Sequence, residues 1–138
     1  MIRLADATQA QEKKATRAAY GKTLAELYEQ GLPIVAVDAD LSGSTTTKAF
    51  AQAGQEERKR LFNVGIAEQN MIDVAAGLAL AGNIAFTGSF AVFGTGRCYD
   101  QIRNTVAYAN LDVKIAPTHA GISVCLLYTS DAADDLIG

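Results

Sequence analysis

The chain alternates short apolar runs with segments whose apolar residues recur at helical spacing. Four of the runs are rich in β-branched residues: "PIVAVDADL", "RLFNV", "NIAFTGSF" and "DVKIAP". Strands that alternate with helices are typical of a parallel sheet covered by helices on both faces. The sequence therefore predicts an α/β fold with a doubly wound parallel sheet. Its first helix begins at Thr16, and "GLP" ends that helix before the first strand.

Composition narrows the class of protein. The 138 residues are 49% hydrophobic, enough for one domain with a real core. The net charge is −3, and lysine and arginine are scattered, which argues against a nucleic-acid partner. No apolar run approaches the roughly 18 residues of a membrane span, and the N-terminus lacks the apolar core of a signal peptide. Cys98 and Cys125 fit no metal or disulfide spacing, so we expect a cytoplasmic protein with reduced thiols.

The two ends of the chain differ from the middle. Residues 1–15 are polar and are predicted to form a leader before the domain. Residues 125–138, "CLLYTSDAADDLIG", abandon the alternation of strands and helices. They resemble the in-frame translation of a sequencing adapter. We therefore expect a domain over residues 16–124 that is incomplete at its C-terminus, followed by a non-native tail.

Glu68 lies on the apolar side of a predicted helix. This helix runs from Ile66 to Ala81 and directly follows the strand "LFNV". Residues three and four positions apart share one helix face. On that face the residues after Glu68 are all apolar: Met71, Ile72, Ala75, Leu78 and Ala79. Polar residues such as Gln69 and Asp73 lie opposite, so the helix is predicted to bury Glu68.

Two interpretations explain a carboxyl group at this position. In the first, Gly65 is the N-cap and Glu68 caps the helix from position N3. In the second, Glu68 is a partly buried acid that can hold and exchange a proton near neutral pH, because burial disfavours its charged form. Ligands of doubly wound sheets bind at the carboxyl ends of strands, where Glu68 lies. The pattern alone favours capping.

Other candidate residues also follow predicted strands. Asp38 and Asp40 end the first strand, where acids can serve a metal, a phosphoacceptor site or a structural Asx-turn. Phe90 and Phe93 follow the third strand, and their simplest role is core packing. His119 is the one histidine of the chain and follows the last strand. A lone histidine is more often structural than catalytic.

The segment after the third strand carries a further helical pattern. In "TGRCYDQIRNTVAYANL", Tyr99, Ile102, Val106 and Ala109 are predicted to share one side of a helix. The preceding G-x-G resembles the start of a dinucleotide-binding fingerprint. The third glycine position is Tyr99, so the fingerprint fails. A nucleotide-binding Rossmann domain is therefore disfavoured.

Five stretches together resemble a known family. They are "KATRAAYGKTLAEL", "VAVDADLSGST", "FNVGIAEQNMIDVAAGLALAG", "GSFAVFGTGRCYDQIRN" and "VKIAPTHAGISV". In this order they resemble the pyrimidine-binding domain of transketolases, most of all the separate C-terminal subunit of split transketolases. The resemblance covers residues 13–124 and implies the thiamine diphosphate-binding fold. For Glu68, the resemblance favours the interpretation as a proton-exchanging acid over the interpretation as a helix cap.

The resemblance implies cofactor contacts for four residues. The glutamate of "GIAEQ", here Glu68, hydrogen-bonds N1′ of the aminopyrimidine ring of thiamine diphosphate and so acts in catalysis. Phe90 and Phe93 are expected to pack on that ring, with Phe93 the better candidate for stacking. Asp40 is expected near the thiazolium. The family often has another aromatic residue where Gly96 stands here, which leaves part of the ring wall missing.

The resemblance also implies substrate contacts and a reaction. Ser44 matches a position that contacts substrate phosphate, and His119 matches a substrate-contacting histidine. The implied reaction transfers a two-carbon ketol unit between sugar phosphates.

Two family motifs are missing from this chain. There is no G-D-G followed by an asparagine, the pattern that binds Mg²⁺ and diphosphate, and no "GEDG" after "GISV". We therefore expect an N-terminal diphosphate-binding subunit as partner, a cofactor at the interface of a homo- or hetero-oligomer, and no activity from this chain alone. Two alternatives stay open: a 1-deoxy-D-xylulose-5-phosphate synthase-like domain, and a non-catalytic interaction domain of the same fold.

Overall fold

A computed structural model of the chain describes residues 15–52 and 60–121. The predicted leader falls outside these residues except for Ala15, and the predicted tail falls outside them entirely. Both therefore stay predictions. None of the helices in the described part is long and apolar enough to cross a membrane.

Helices and strands follow one another as the sequence predicts. The helices are α1 (Thr16–Glu29), α2 (Ser42–Thr45), α3 (Thr47–Ala51), α4 (Glu68–Leu80) and the short α5 (Tyr99–Gln101). Two π-helical turns, Val92–Arg97 and Ile102–Ala107, flank α5. The strands are β1 (Ile34–Asp38), β2 (Leu61–Asn63), β3 (Ile84–Gly88) and β4 (Val113–Ile115).

The four strands form one parallel sheet in the order β2-β1-β3-β4. The chain passes from β1 to β2 on one side and then crosses to β3 on the other side of β1. This reversal makes the β1–β3 boundary the topological switch point of the sheet, and ligands of such sheets bind at the carboxyl ends of the strands near it. The predicted doubly wound α/β architecture is confirmed.

Hydrophobic cores cover both faces of the sheet. Ile34 and Ala36 of β1 belong to a core with Leu24 of α1 and Phe50 of α3. Val35, Val37 and Ala39 belong to the opposite core, which includes Met71, Ile72, Ala75 and Ala76 of α4. Successive strand residues point to opposite faces of the sheet. Because a core covers each face, every residue of β1 is buried, and all of its residues before Asp38 are apolar.

Helix α4 begins two residues later than predicted. Gly65 has a φ of 73°, and its N–H donates to the Asn63 side chain over 2.9 Å. Ala67, the residue before the helix, has a φ of −144° and ψ of 67°. Because the loop continues to Ala67, Glu68 is the first helical residue and makes no capping hydrogen bond. The interpretation that placed Gly65 at the N-cap and Glu68 at N3 is therefore contradicted.

The segment after β3 is not the regular helix that the pattern predicts. Ile102 and Val106 pack into the core as predicted. Tyr99 is 68% exposed, and Ala109 is also exposed. The prediction that these two residues share the buried face of Ile102 and Val106 is therefore wrong. Each π-helical turn closes its hydrogen bonds over five residues instead of four, which rotates later side chains away from the expected face.

Candidate functional site

The residues singled out in the sequence lie around the carboxyl ends of the parallel strands. Asp40 follows β1, Glu68 follows β2, Phe90 and Phe93 follow β3, and His119 follows β4. In a parallel sheet these ends share one edge. The fold thus carries a cluster of acidic, aromatic and basic side chains to the edge where doubly wound proteins bind ligands.

Glu68 is a buried carboxylate with a cationic partner. It lies in the first turn of α4 with only 3% of its surface exposed, on the same face as Met71 and Ile72. Its Oε2 accepts a hydrogen bond of 2.9 Å from Nη1 of Arg97. A buried carboxylate needs such a partner, because burial removes the water that would otherwise solvate its charge. The predicted burial of this residue is confirmed.

Arg97 also covers an aromatic side chain of the cluster. Its guanidinium carbon lies 4.2 Å from the centroid of the Phe93 ring. A cation over an aromatic face is attracted by the ring quadrupole. Arg97 therefore joins Phe93 to Glu68. The sequence analysis missed Arg97, although its position four residues after Phe93 in a helical segment was an available signal.

Cys98 anchors the backbone behind Phe93. Its buried Sγ donates to the carbonyl oxygen of Phe93 at 3.3 Å. Burial raises the pKa of this thiol to about 11, and the negative charge of Glu68 adds to the rise while Arg97 opposes it. The thiol is therefore protonated at neutral pH and serves as a hydrogen-bond donor.

Phe90 makes a different contact from Phe93. Its ring centroid lies 4.2 Å from that of His119, and its backbone pairs with Thr118. In the described part of the chain, no ring contact joins Phe90 to Phe93. The two phenylalanines predicted to form one aromatic wall thus take part in separate contacts, one with Arg97 and one with His119.

His119 lines a pocket with Arg17. The pocket has a volume of about 330 Å³, and its lining residues are Ala15, Thr16, Arg17, Thr118, His119, Ala120 and Gly121. Nη1 of Arg17 lies 3.2 Å from Nε2 of His119. An arginine can only donate, so this contact requires Nε2 to accept and places the ring proton on Nδ1. Nδ1 lies 2.7 Å from Oγ1 of Thr118, which it can reach as a donor.

The surroundings of His119 favour its neutral form. Desolvation lowers the pKa of the imidazole below 6.5, and the positive charge of Arg17 lowers it further. Arg17, at the start of α1, therefore supplies the fixed positive charge of the pocket. The sequence analysis did not single out this arginine.

Asp38 has a structural role, although its bond to the loop reaches the N–H three residues on and not the N–H two residues on that defines an Asx-turn. Its carboxylate is fully buried and accepts the N–H of Leu41 at 2.6 Å. The hydroxyls of Thr45 and Thr47 donate to it at 2.9 and 2.7 Å. Gly88 of β3 lies against the same carboxylate, since a Cβ there would come within 2.5 Å of Oδ2. Asp38 thus fixes the loop that carries Asp40 and Ser44.

Asp40 and Ser44 lie on that loop in different settings. Asp40 is exposed, has a φ of 65°, and accepts a hydrogen bond of 3.0 Å from Nδ2 of Asn63. Ser44 is half-buried in α2 and does not line the pocket of Arg17 and His119. Within residues 15–52 and 60–121, no group of three histidine, cysteine or acidic residues is placed to hold a metal ion.

Comparison with known proteins assigns the family. The family model described as "Transketolase, pyrimidine binding domain" matches residues 12–125. The chain belongs to the transketolase family. The residues matched by the family model include the whole described part of this transketolase domain, with the sheet, the buried Glu68 and the Arg17–His119 pocket.

Individual relatives agree with this assignment. A putative transketolase C-terminal section from Methanocaldococcus jannaschii is 54% identical over 111 residues, which are 80% of this chain and 34% of that protein. The 6-deoxy-6-sulfo-D-fructose transketolase subunit SqwH from Clostridium sp. (strain MSTE9) is 43% identical and matches 81% of this chain and 34% of that protein.

A solved structure supports the fold directly. It is described as "Split gene transketolase, inactive beta4 tetramer" and is 54% identical, with a TM-score of 0.66 over 75% of this chain and 34% of that one. The chain thus spans about a third of the length of these relatives. The transketolase resemblance and the α/β fold predicted from the sequence are both confirmed.

Proposed function

We propose that the chain is the pyrimidine-binding part of a thiamine diphosphate-dependent transketolase that transfers a two-carbon ketol unit between sugar phosphates. The observation that carries this proposal is the Glu68 carboxylate. It is buried, lies behind the carboxyl end of β2, and has one oxygen held by Arg97. A shielded acid at this edge of the sheet is suited to exchanging a proton with a ring nitrogen.

The residues at the edge fit the cofactor ring. Glu68 Oε1 accepts no hydrogen bond from the described residues, so it is available to N1′ of an aminopyrimidine. Phe93 offers a flat apolar surface to the ring, and we keep Phe90 and Asp40 as further cofactor contacts on the family resemblance. When bound, thiamine diphosphate supplies the electron sink for breaking the bond beside a ketose carbonyl. Glu68 acts by holding a proton at N1′, while Phe93 orients the ring and excludes water.

A second subunit completes the site in this proposal. Two relatives, of each of which the match covers 34%, are described as a C-terminal section and as a subunit, which supports an N-terminal partner. That partner would bind the diphosphate and Mg²⁺, with the cofactor at the interface of the oligomer. This chain would be inactive alone. The two cysteines, which fit no disulfide spacing, favour the cytoplasm for the complex.

The pocket of Arg17 and His119 is suited to the anionic end of the substrate. Arg17 supplies a fixed charge, and His119 can become a second donor when protonated. One relative is named for a sulfonated sugar and another for apulose 4-phosphate, so both act on sugars with an anionic group. We keep Ser44 as a further phosphate contact on the family resemblance alone, since it does not line this pocket. The loop that carries Ser44 is joined to α1 nearby, where the hydroxyl of Thr46 bonds the Arg17 carbonyl.

An assay of the assembled enzyme tests the proposed function. The complex of this chain with its diphosphate-binding subunit is supplied with xylulose 5-phosphate and an aldose phosphate, or with pyruvate and the same aldose. We expect ketol transfer from the ketose and no decarboxylation of pyruvate. Turnover of pyruvate would instead indicate a deoxyxylulose-phosphate synthase, and no turnover of either donor, with no cofactor dependence, would indicate an interaction domain.

Replacing Arg17 with alanine should weaken substrate binding. The loss of a charge-assisted contact is expected to raise KM for the sugar phosphate about 10- to 100-fold, with little change in kcat. Lys22→Ala is the control, because Lys22 is an exposed cation on the same helix that pairs with Glu26 over 3.5 Å. Equal KM values for the Arg17 variant and the unmodified enzyme would contradict the phosphate assignment.

The lowered pKa of His119 makes the pocket sensitive to acid. At neutral pH the imidazole is uncharged, and it gains a proton only as the pH falls through a value below 6.5. Sulfate keeps its charge over this range, so its affinity should rise on acidification. NMR titration of the complex, with only this chain labelled, follows the one histidine directly. Arg17→Ala should move the pKa of His119 upward, and a pKa at or above 6.5 in the unmodified chain would contradict the account.

A further inference from the structure

Arg97 donates a hydrogen bond to Glu68 and lies over the ring of Phe93. Building on the proposed function, we propose that Arg97 is a positioning residue for the cofactor ring. It fixes the Glu68 carboxylate and supplies the part of the ring wall that Gly96 leaves out. Neither role was assigned to it by the sequence pattern.

The two oxygens of the Glu68 carboxylate have different surroundings. Arg97 holds Oε2 at 2.9 Å, whereas Oε1 accepts no hydrogen bond from the described residues. The carboxylate of a glutamate is carried on three rotatable bonds and can turn either oxygen outward. Pinning one oxygen leaves the other in a fixed direction, which lowers the entropy lost when a ring nitrogen binds it.

The guanidinium of Arg97 is suited by its shape to form part of the ring wall. Gly96 has no side chain, and a Cβ placed there would meet nothing within 4 Å. The next residue, Arg97, lies over the Phe93 ring at 4.2 Å and keeps 48% of its side chain exposed. A guanidinium is planar and stacks on aromatic rings, so it can replace an aromatic side chain as a flat surface. A lysine could not do this.

Side-chain hydrogen bonds fix the backbone segment that carries Arg97. Residues Val92–Arg97 form a π-helical turn, in which the Thr95 hydroxyl bonds the Ala91 carbonyl at 2.7 Å. The buried Cys98 Sγ bonds the Phe93 carbonyl at 3.3 Å. These bonds hold the backbone on both sides of the guanidinium. π-Helical turns often occur at functional sites, where they move side chains out of helical register.

The same contacts admit an opposite role, and the test separates the two. If Arg97 occupied the place of the ring, removing it would strengthen cofactor binding. The assembled complex with its diphosphate-binding subunit is titrated with thiamine diphosphate and Mg²⁺ by calorimetry. Arg97→Ala should raise the Kd about tenfold, the size of one charge-assisted hydrogen bond. An unchanged or lower Kd would overturn the proposal.

Two further variants make the test specific. Arg97→Lys keeps the charge beside Glu68 but not the flat surface, so its Kd should rise about threefold. If Arg97→Ala fails to assemble, this variant carries the test, and a Kd equal to that of the unmodified complex overturns the proposal. Arg103→Ala removes an exposed cation from the next π-helical turn, Ile102–Ala107, and should leave the Kd unchanged.

A double-mutant cycle tests whether Arg97 acts through Glu68. In a Glu68→Gln background, Arg97→Ala should raise the Kd less than about threefold, because the ion pair is already weakened. Full additivity of the two effects would contradict positioning and leave only a structural role for Arg97. Failure of the unmodified complex to bind thiamine diphosphate at all would instead contradict the proposed function, on which this inference rests.

Discussion

Glu68→Gln is expected to lower kcat of the complex proposed above about 100- to 10,000-fold, the usual contribution of general acid–base catalysis. Glutamine has nearly the shape of glutamate, and its carbonyl oxygen can still accept the hydrogen bond from Arg97. It cannot exchange a proton with a ring nitrogen. The fold should therefore persist while turnover is lost. Steady-state kinetics of the complex, with circular dichroism of the variant, gives both quantities.

Asp73→Asn is the matched control for this change. Asp73 lies on the same helix as Glu68 but is exposed on the opposite face. The variant makes the same chemical replacement at an exposed residue that donates or accepts no hydrogen bond within the described cluster at the strand ends, so kcat should stay within about twofold of the unmodified enzyme. An unchanged kcat in Glu68→Gln would show that the buried carboxyl has no catalytic role.

Asp38→Ala is expected to lower the free energy of unfolding by about 3 kcal/mol. The Asp38 carboxylate accepts hydrogen bonds from the Leu41 N–H and from the hydroxyls of Thr45 and Thr47. Because both threonines are fully buried, their donors cannot turn to water when the acceptor is removed. The two hydroxyls can still bond each other at 3.0 Å, which limits the loss. Urea denaturation of the chain, followed by circular dichroism, measures the change.

Asp40→Ala separates this structural role from a functional one. Asp40 is exposed, and its side chain bonds only the Asn63 amide among the described residues. Its removal should change the free energy of unfolding by less than about 0.5 kcal/mol. If Asp38→Ala were equally mild, the buried hydrogen bonds would not be what fixes the loop after β1.

The sequence predicts the elements whose position depends on burial. Four apolar runs become four parallel strands because their apolar side chains pack into the cores on the faces of the sheet. Strand β1 shows this most plainly, with no exposed residue. The same argument places Glu68 on the buried face of its helix. The spacing of apolar residues along a helix or strand predicts which of its faces is buried, and this spacing can be seen in the local sequence alone.

The sequence does not predict features that depend on loop geometry or on distant contacts. The start of α4 is set by the backbone of Gly65 and Ala67, which no side-chain pattern records. Arg97 and Glu68 are 29 residues apart and are brought together by the packing of the segment after β3 on α4. The π-helical turns likewise arise where the segment packs on α4. The family was predictable because the resemblance extends over five stretches, whereas the roles of individual residues stay predictions.

The account's central claim is that this chain holds the pyrimidine half of a thiamine diphosphate site and needs a partner for the other half. Calorimetric titration with thiamine diphosphate and Mg²⁺ tests it on the chain, on the diphosphate-binding subunit and on their complex. We expect saturable binding of one cofactor per pair of subunits in the complex and none to this chain alone. Binding to the partner subunit alone with the affinity of the complex, or no binding to the complex, would contradict the claim.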